Sequence, residues 1–203
     1  KGNIVGKVPP GTGIMVLATN HVEIYNNKIW DNKTASAAIV SYFIAETPIK
    51  DKDYNPYPSA ISIHDNVFSP GKRMPTWKNK LGFVFWWKFG RRVPHILYDG
   101  IQNPDYLAAD GSLKPAHRIC IRGNDNGTFA NIQADKLGLF KGKISKNMAP
   151  YDCEISKTEW QQFSTLTAVP TGDGAVAKLK NQFSNYAIRN AFYNLLNEYA
   201  KAK

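Results

Sequence analysis

Val22-Glu23-Ile24-Tyr25-Asn26-Asn27-Lys28-Ile29 returns in pattern as Ile61-Ser62-Ile63-His64-Asp65-Asn66-Val67-Phe68, every matched position 39 residues on. The shared pattern is apolar-x-apolar-x-x-Asn-x-apolar. Two apolar residues at period two make a short strand with one buried face. The Asn then turns the chain, because Asn tolerates left-handed φ and bonds its own backbone. A further apolar residue begins the next strand. A repeated strand-Asn-strand unit predicts an all-β chain, a right-handed parallel β-helix or solenoid whose units bury their apolar faces on one another. It also predicts that Ile24 lies in line with Ile63, and Asn27 with Asn66.

Working outward, Gly13 to Ala18 and Ala37 to Phe43 read as strands, the second rich in β-branched and aromatic residues. Lys50 to Ser59 is polar, holds two prolines and reads as a loop. Leu81 to Phe89, Pro94 to Ile101, Arg118 to Arg122 and Thr128 to Gln133 read as further strands. Asp135 to Thr158 follows no period. From Asp173 the apolar residues fall at Val176, Leu179, Phe183, Ala187, Ala191, Leu195 and Tyr199. Steps of three and four mark an amphipathic helix. The expected organisation is therefore a β module over residues 1–155, closed by its irregular segment. Residues 156–203 then form a linker and a helix that packs on or caps the module. The chain starts at Lys1, almost inside its first strand, so we expect the C-terminal part of a longer protein. Its missing N-terminal half, or another chain, would then be a partner.

The 203 residues carry a formal charge of +10, and its distribution says more than its size. Between Lys72 and Arg92 stand Lys72, Arg73, Lys78, Lys80, Lys88, Arg91 and Arg92, with no Asp or Glu. Trp77, Phe83, Phe85, Trp86, Trp87 and Phe89 share that stretch. Aromatic faces stack on sugar rings, and Lys or Arg pair with carboxylates, so the combination suits an acidic polysaccharide. Trp86, Lys88, Arg91, Arg92, Lys78 and Lys80 are the candidate binding residues. Strand alternation would place Phe83, Phe85 and Trp87 in the core and turn Trp86 and Lys88 outward. Basic charge with aromatics also suits single-stranded nucleic acid, but no RNA- or DNA-binding motif accompanies it. No apolar run is long enough to span a bilayer. Cys120 and Cys153 read either as two buried thiols or as one disulfide.

The strings Gly11-Thr12-Gly13-Ile14-Met15, Ala38-Ile39-Val40-Ser41-Tyr42, Tyr54-Asn55-Pro56-Tyr57-Pro58, Val93-Pro94-His95-Ile96-Leu97-Tyr98-Asp99-Gly100 and Asn126-Gly127-Thr128-Phe129-Ala130-Asn131 stand in that order. Together they resemble the C-terminal half of exported bacterial parallel β-helix repeat proteins, which are similar in fold to pectate lyases and alginate epimerases. The resemblance covers residues 1 to about 155. It implies a secreted, periplasmic or cell-surface protein that binds or processes a polyuronate. It also implies a Cys120–Cys153 disulfide. The epimerases' Asp-Pro-His-Asp string is missing. Arg92-Val93-Pro94-His95-Ile96-Leu97 matches only the first half of the lyases' Arg-x-Pro-x-x-Arg.

A lyase or epimerase-like reaction needs a base at C5 of the uronate and a cation on its carboxylate. His64, or Tyr25 at the equivalent position of the other copy, is the candidate base. Arg91 or Arg92 is the candidate carboxylate partner. His64 and His95 both read more simply as surface residues. Asp51-Lys52-Asp53-Tyr54-Asn55 opens like a calcium loop, but Pro56 replaces the required Gly and Ser62 the closing acid. That excludes an EF-hand and leaves Asp51 and Asp53 as candidates for a looser calcium site, with no other cofactor expected. The competing reading of the whole chain is a non-catalytic structural module that assembles with another chain.

Overall fold

A computed structural model describes residues 6, 8–45, 48–70, 73–77, 80–134 and 143–155. Its strands are β1 (Thr12–Leu17), β2 (Asn20–Tyr25), β3 (Lys28–Ile29), β4 (Ala35–Val40), β5 (Ser59–His64), β6 (Val67–Phe68), β7 (Ile96–Tyr98), β8 (Ile119–Arg122) and β9 (Phe129–Asn131). One α-helix, α1 (Lys80–Phe89), stands among them. The strands form three parallel sheets, ordered β1-β4-β7-β9, β2-β5-β8 and β3-β6. Each sheet takes up its strands in chain order.

The two copies of the repeat lie side by side in register. Val22 pairs with Ile61, Ile24 with Ile63 and Tyr25 with His64, and Ile29 pairs with Phe68 in the third sheet. Ile24, Ile29, Ile61, Ile63 and Phe68 are buried in one core with Ile39, Ile96, Tyr98, Ile119, Ile121 and Phe129. Each large apolar side chain so buried contributes roughly 1.5–3 kcal/mol.

The turns between β2 and β3 and between β5 and β6 are joined by an amide ladder. Asn66 Oδ1 accepts from the backbone N–H and the side-chain amide of Asn27, both at 3.1 Å. Asn124 adds a third member: its Oδ1 accepts from the Asn66 N–H at 3.1 Å and the Asn66 amide at 3.0 Å. The residue before each ladder Asn has positive φ: Asn26 at 55°, Asp65 at 52° and Gly123 at 59°. At the third turn the positive φ falls on a glycine, and a Cβ there would come within 2.8 Å of Asp65 Oδ1 and displace that exposed carboxylate. Ile119-Cys120-Ile121-Arg122-Gly123-Asn124 thus carries the opening pattern again. It lies 58 residues after the second copy instead of 39, because α1 and further loops intervene.

The expected all-β, right-handed parallel β-helix is corrected here. The described residues combine parallel sheets with a helix, a mixed α/β arrangement. The departure comes from Leu81–Phe89, which reads as a strand in sequence and is helical in the structure. Val84 and Phe85 are buried while Phe83 and Trp87 are exposed, which no period-two strand could produce. The helix stops at Gly90, whose φ is +56° and whose N–H bonds back to the Trp86 carbonyl at 2.7 Å. Val84 and Phe85 pack with Ala35, Ala38, Val40, Leu97 and Ala130 from the first sheet. That sheet is therefore covered on both faces, and all six residues of β4 are buried.

Residues 143–155 close the module without regular structure beyond one 3-10 turn at Ala149–Tyr151. Ser145 exchanges two backbone hydrogen bonds with Asn131 of β9, and Tyr151 packs on Phe129. A disulfide joins Cys153 to Cys120 of β8, Cα atoms 4.9 Å apart. No helix among the described residues is long and apolar enough to cross a membrane. The expected amphipathic helix after Asp173, and with it the whole 156–203 segment, lies outside the described residues.

Candidate functional site

The basic aromatic stretch becomes a surface because α1 turns its rings by about 100° per residue. Trp77 and Trp87 are 64% and 61% exposed and Phe83 is 45% exposed. Trp86 is half-buried and bridges the group, 5.6 Å from Trp77 and 5.9 Å from Phe83 between ring centres. The Lys88 ammonium lies over the Trp87 ring, 5.6 Å from its centre. Arg91 and Arg92 follow directly and are exposed. No ion pair among the described residues engages either of them. Lys78 lies outside the described residues, as does the Lys80 side chain. Of the expected core aromatics Phe83, Phe85 and Trp87, only Phe85 is buried. The helical period moves the other two to the surface.

Arg92 also lines a cleft of about 560 Å³ with Pro70, Arg73, Pro94, His95, Gly127, Thr128 and Lys146. His95 is buried here, against the expectation of a surface residue. The sequence signal was its setting, directly between Val93-Pro94 and the apolar Ile96-Leu97-Tyr98. Its Nε2–H donates to the Ser69 carbonyl at 2.8 Å, while Nδ1 accepts from the Thr128 N–H at 3.2 Å. A carbonyl can only accept and a backbone N–H can only donate, so His95 is held as the neutral Nε2–H tautomer. Burial lowers its pKa, the Ser69 carbonyl opposes that, and the Arg73 charge adds to it.

His64 occupies a second, smaller cleft of about 280 Å³ with Glu23, Ser62, Asp65, Arg122, Glu154 and Ile155. Its Nε2 is 2.9 Å from Glu23 Oε1 and its Nδ1 is 2.8 Å from Asp65 Oδ2. Tyr25 stacks on it, ring centres 5.4 Å apart. Burial alone would lower the His64 pKa, but the bonds to Asp65 and Glu23 outweigh it and raise the pKa. Both nitrogens are occupied, so the candidate base has no free lone pair in this arrangement. The carboxylate partner expected for it is not beside it: Arg92 lines the other cleft, and Arg91 lines neither. Glu23 is the neighbour that sequence reading missed. It is the residue paired with Ser62, two positions before His64 on the neighbouring strand, so only the strand register brings it to His64.

The raised pKa fixes the sign of a pH effect. The clamp's contribution to stability is fully present below about pH 6.5, the ordinary histidine pKa, and fades as pH rises through the higher folded value. His64→Gln should therefore cost about 1 kcal/mol at pH 5.5, the scale of partly exposed ion pairs, and clearly less at pH 8.5. Urea unfolding of both proteins at the two pH values checks this. An equal cost at both would show that His64 contributes packing only.

Asp51 and Asp53 lie in the exposed first part of the expected 50–59 loop, whose last residues Pro58 and Ser59 are buried, and the Asp53 N–H donates to Asp51 Oδ1 at 3.0 Å. Asp51 thus organises its own turn. No group of three or more His, Cys, Asp or Glu side chains suited to a metal is found among the described residues. Comparison with known proteins finds no matching family, no matching characterised protein and no matching solved structure.

Proposed function

We propose that the chain is a binding module for an acidic polysaccharide, held on the surface formed by α1 and the residues that follow it. The observation that carries this reading is the exposed cluster of Trp77, Phe83 and Trp87 continuing into Lys88, Arg91 and Arg92, with no acid between Asp65 and Asp99 in the chain. Flat apolar rings take the C–H faces of sugars, and adjoining cations take their carboxylates. A basic surface without interspersed acids concentrates a polyanion, and salt screens that attraction. The Cys120–Cys153 disulfide fits a chain working in an oxidising compartment, secreted, periplasmic or on the cell surface. Binding is favoured over lyase or epimerase chemistry because both His64 nitrogens are committed to carboxylates.

The triple variant Trp87→Ala, Lys88→Ser, Arg91→Ser is expected to leave an alginate or pectate column at lower salt than the parent. Its affinity for the soluble polymer should fall about tenfold or more, a difference of about 1.4 kcal/mol. Unchanged retention would overturn the reading. The exposed rings also suit assembly with another chain, the second reading. In that case the same variant would alter sedimentation of the protein and leave polymer retention untouched.

A further inference from the structure

Arg73 is buried, 8% exposed, and among the described residues none of its partners is an acid. Its Nη1 donates to Ser36 Oγ at 2.7 Å and its Nη2 donates to the Val93 carbonyl. Its Nε has no hydrogen-bond partner among the described residues. Burial lowers its pKa to about 10, which leaves it charged at neutral pH. A buried charge is ordinarily paired, because the solvation it loses is worth several kcal/mol. Among the described residues no Asp or Glu lines the cleft; the charged residues around it are Arg73, Arg92 and Lys146. Asp125, the nearest acid in sequence to the cleft wall, is exposed and is not among the lining residues. His95, which could add a charge, is held neutral by Ser69 and Thr128. Three cations therefore converge on one cleft, and the most buried of them, Arg73, has no acidic partner among the described residues.

We propose that this cleft is an oxyanion subsite, which takes one carboxylate or sulfate group of the bound polymer. This rests on the polysaccharide reading, since Arg92 joins the cleft to the α1 surface. Arg73 supplies a fixed, largely buried charge in the cleft lining, where the low-dielectric surroundings focus its field. Arg92 and Lys146, both exposed, close on the anion from the rim. Gly127 keeps the wall low and Thr128 adds a hydroxyl there, while Pro70, Val93, Pro94 and Phe129 make the rest of the lining apolar, so a charged group entering would meet its partners in the three cations. Selectivity follows: a neutral polysaccharide would leave Arg73 uncompensated and gain only the stacking on α1.

The test follows the imidazole resonances of His95 in the full chain at constant ionic strength. Sodium sulfate and sodium galacturonate are the two probes, with sodium chloride as the control. A saturable shift of His95 with sulfate, galacturonate or both, and none with chloride, is the expected result. The probe that binds identifies the acidic group. Arg92→Ser with Lys146→Ser should weaken that binding about tenfold or more while the His95 signals start from unchanged positions. Arg73→Met should abolish it. The rim variant keeps the test decisive should Arg73→Met fail to fold. No saturable shift with either probe, or equal affinity in the rim variant, overturns the subsite. Polymer retention without a His95 response would leave the α1 surface standing alone. A His95 response in a chain that does not retain polymer would keep the subsite and sink the surface reading.

Discussion

Asn66→Asp should lower the free energy of unfolding by about 3–5 kcal/mol, at the upper end of what a single substitution does. The side chain is completely buried and sits in the middle of the ladder. The two N–H groups of its amide are shared among the Ile24 and His64 carbonyls, each at 2.8 Å, and Asn124 Oδ1 at 3.0 Å. Aspartate keeps the shape and loses every one of those donors. It would also place a carboxylate against acceptors that cannot pair with it. Asn27→Asp, on the exposed outer end of the ladder, should cost about 1 kcal/mol, the value of an ordinary hydrogen bond. Urea unfolding of the two variants measures the contrast. Equal costs would mean that the amides do not act as a buried ladder.

Loss of the Cys120–Cys153 bridge is the second large effect expected. The bond closes a loop between residues 33 apart, and restricting the unfolded chain over that span is worth about 3–4 kcal/mol. More than loop entropy is involved. Cys120 is fully buried although it points away from the inward-facing Ile119 and Ile121, so the 143–155 segment must cover it. Without the bond that segment keeps the two Ser145–Asn131 hydrogen bonds, the Tyr151 contacts and the Arg122–Glu154 ion pair at 2.8 Å. Cys120→Ala with Cys153→Ala should therefore unfold at lower urea and become susceptible to proteolysis first within residues 143–155. Unfolding midpoints of the oxidised protein and the double variant, with cleavage sites read by mass spectrometry, test both. Identical midpoints would show that the segment is held by its other contacts alone.

The parallel pairing of the two copies was readable because its signal is local and periodic. Ile24 and Ile63 each repeat at period two before an Asn, and any strand with that pattern buries the same face. The third copy, from Ile119 to Asn124, obeys the same pattern, but its broken spacing lets it read in sequence as a further strand and not as a member of the repeat. The α1 stretch failed for the opposite reason. Lys80 to Phe89 is apolar nearly throughout, and such a run satisfies a strand and a helix equally well. Only the small residues across the first sheet, Ala35, Ala38 and Ala130, decide the matter by leaving room for a helix to pack there.

By itself, then, the sequence determined the strand-turn units, the Asn ladder at their turns and the accumulation of cations and rings between Lys72 and Arg92. Those are properties of residue type and short spacing, and backbone geometry converts them directly into structure. Which of those cations is buried, and what surrounds it, came only with the tertiary structure. Arg73 reads like its six basic neighbours until Ser36, 37 residues before it, and Val93, 20 residues after it, close around its guanidinium. The Glu23–His64 contact likewise exists only because β2 and β5 share a register. Burial and electrostatic environment depend on residues distant in the chain, and no local pattern records which of them will meet.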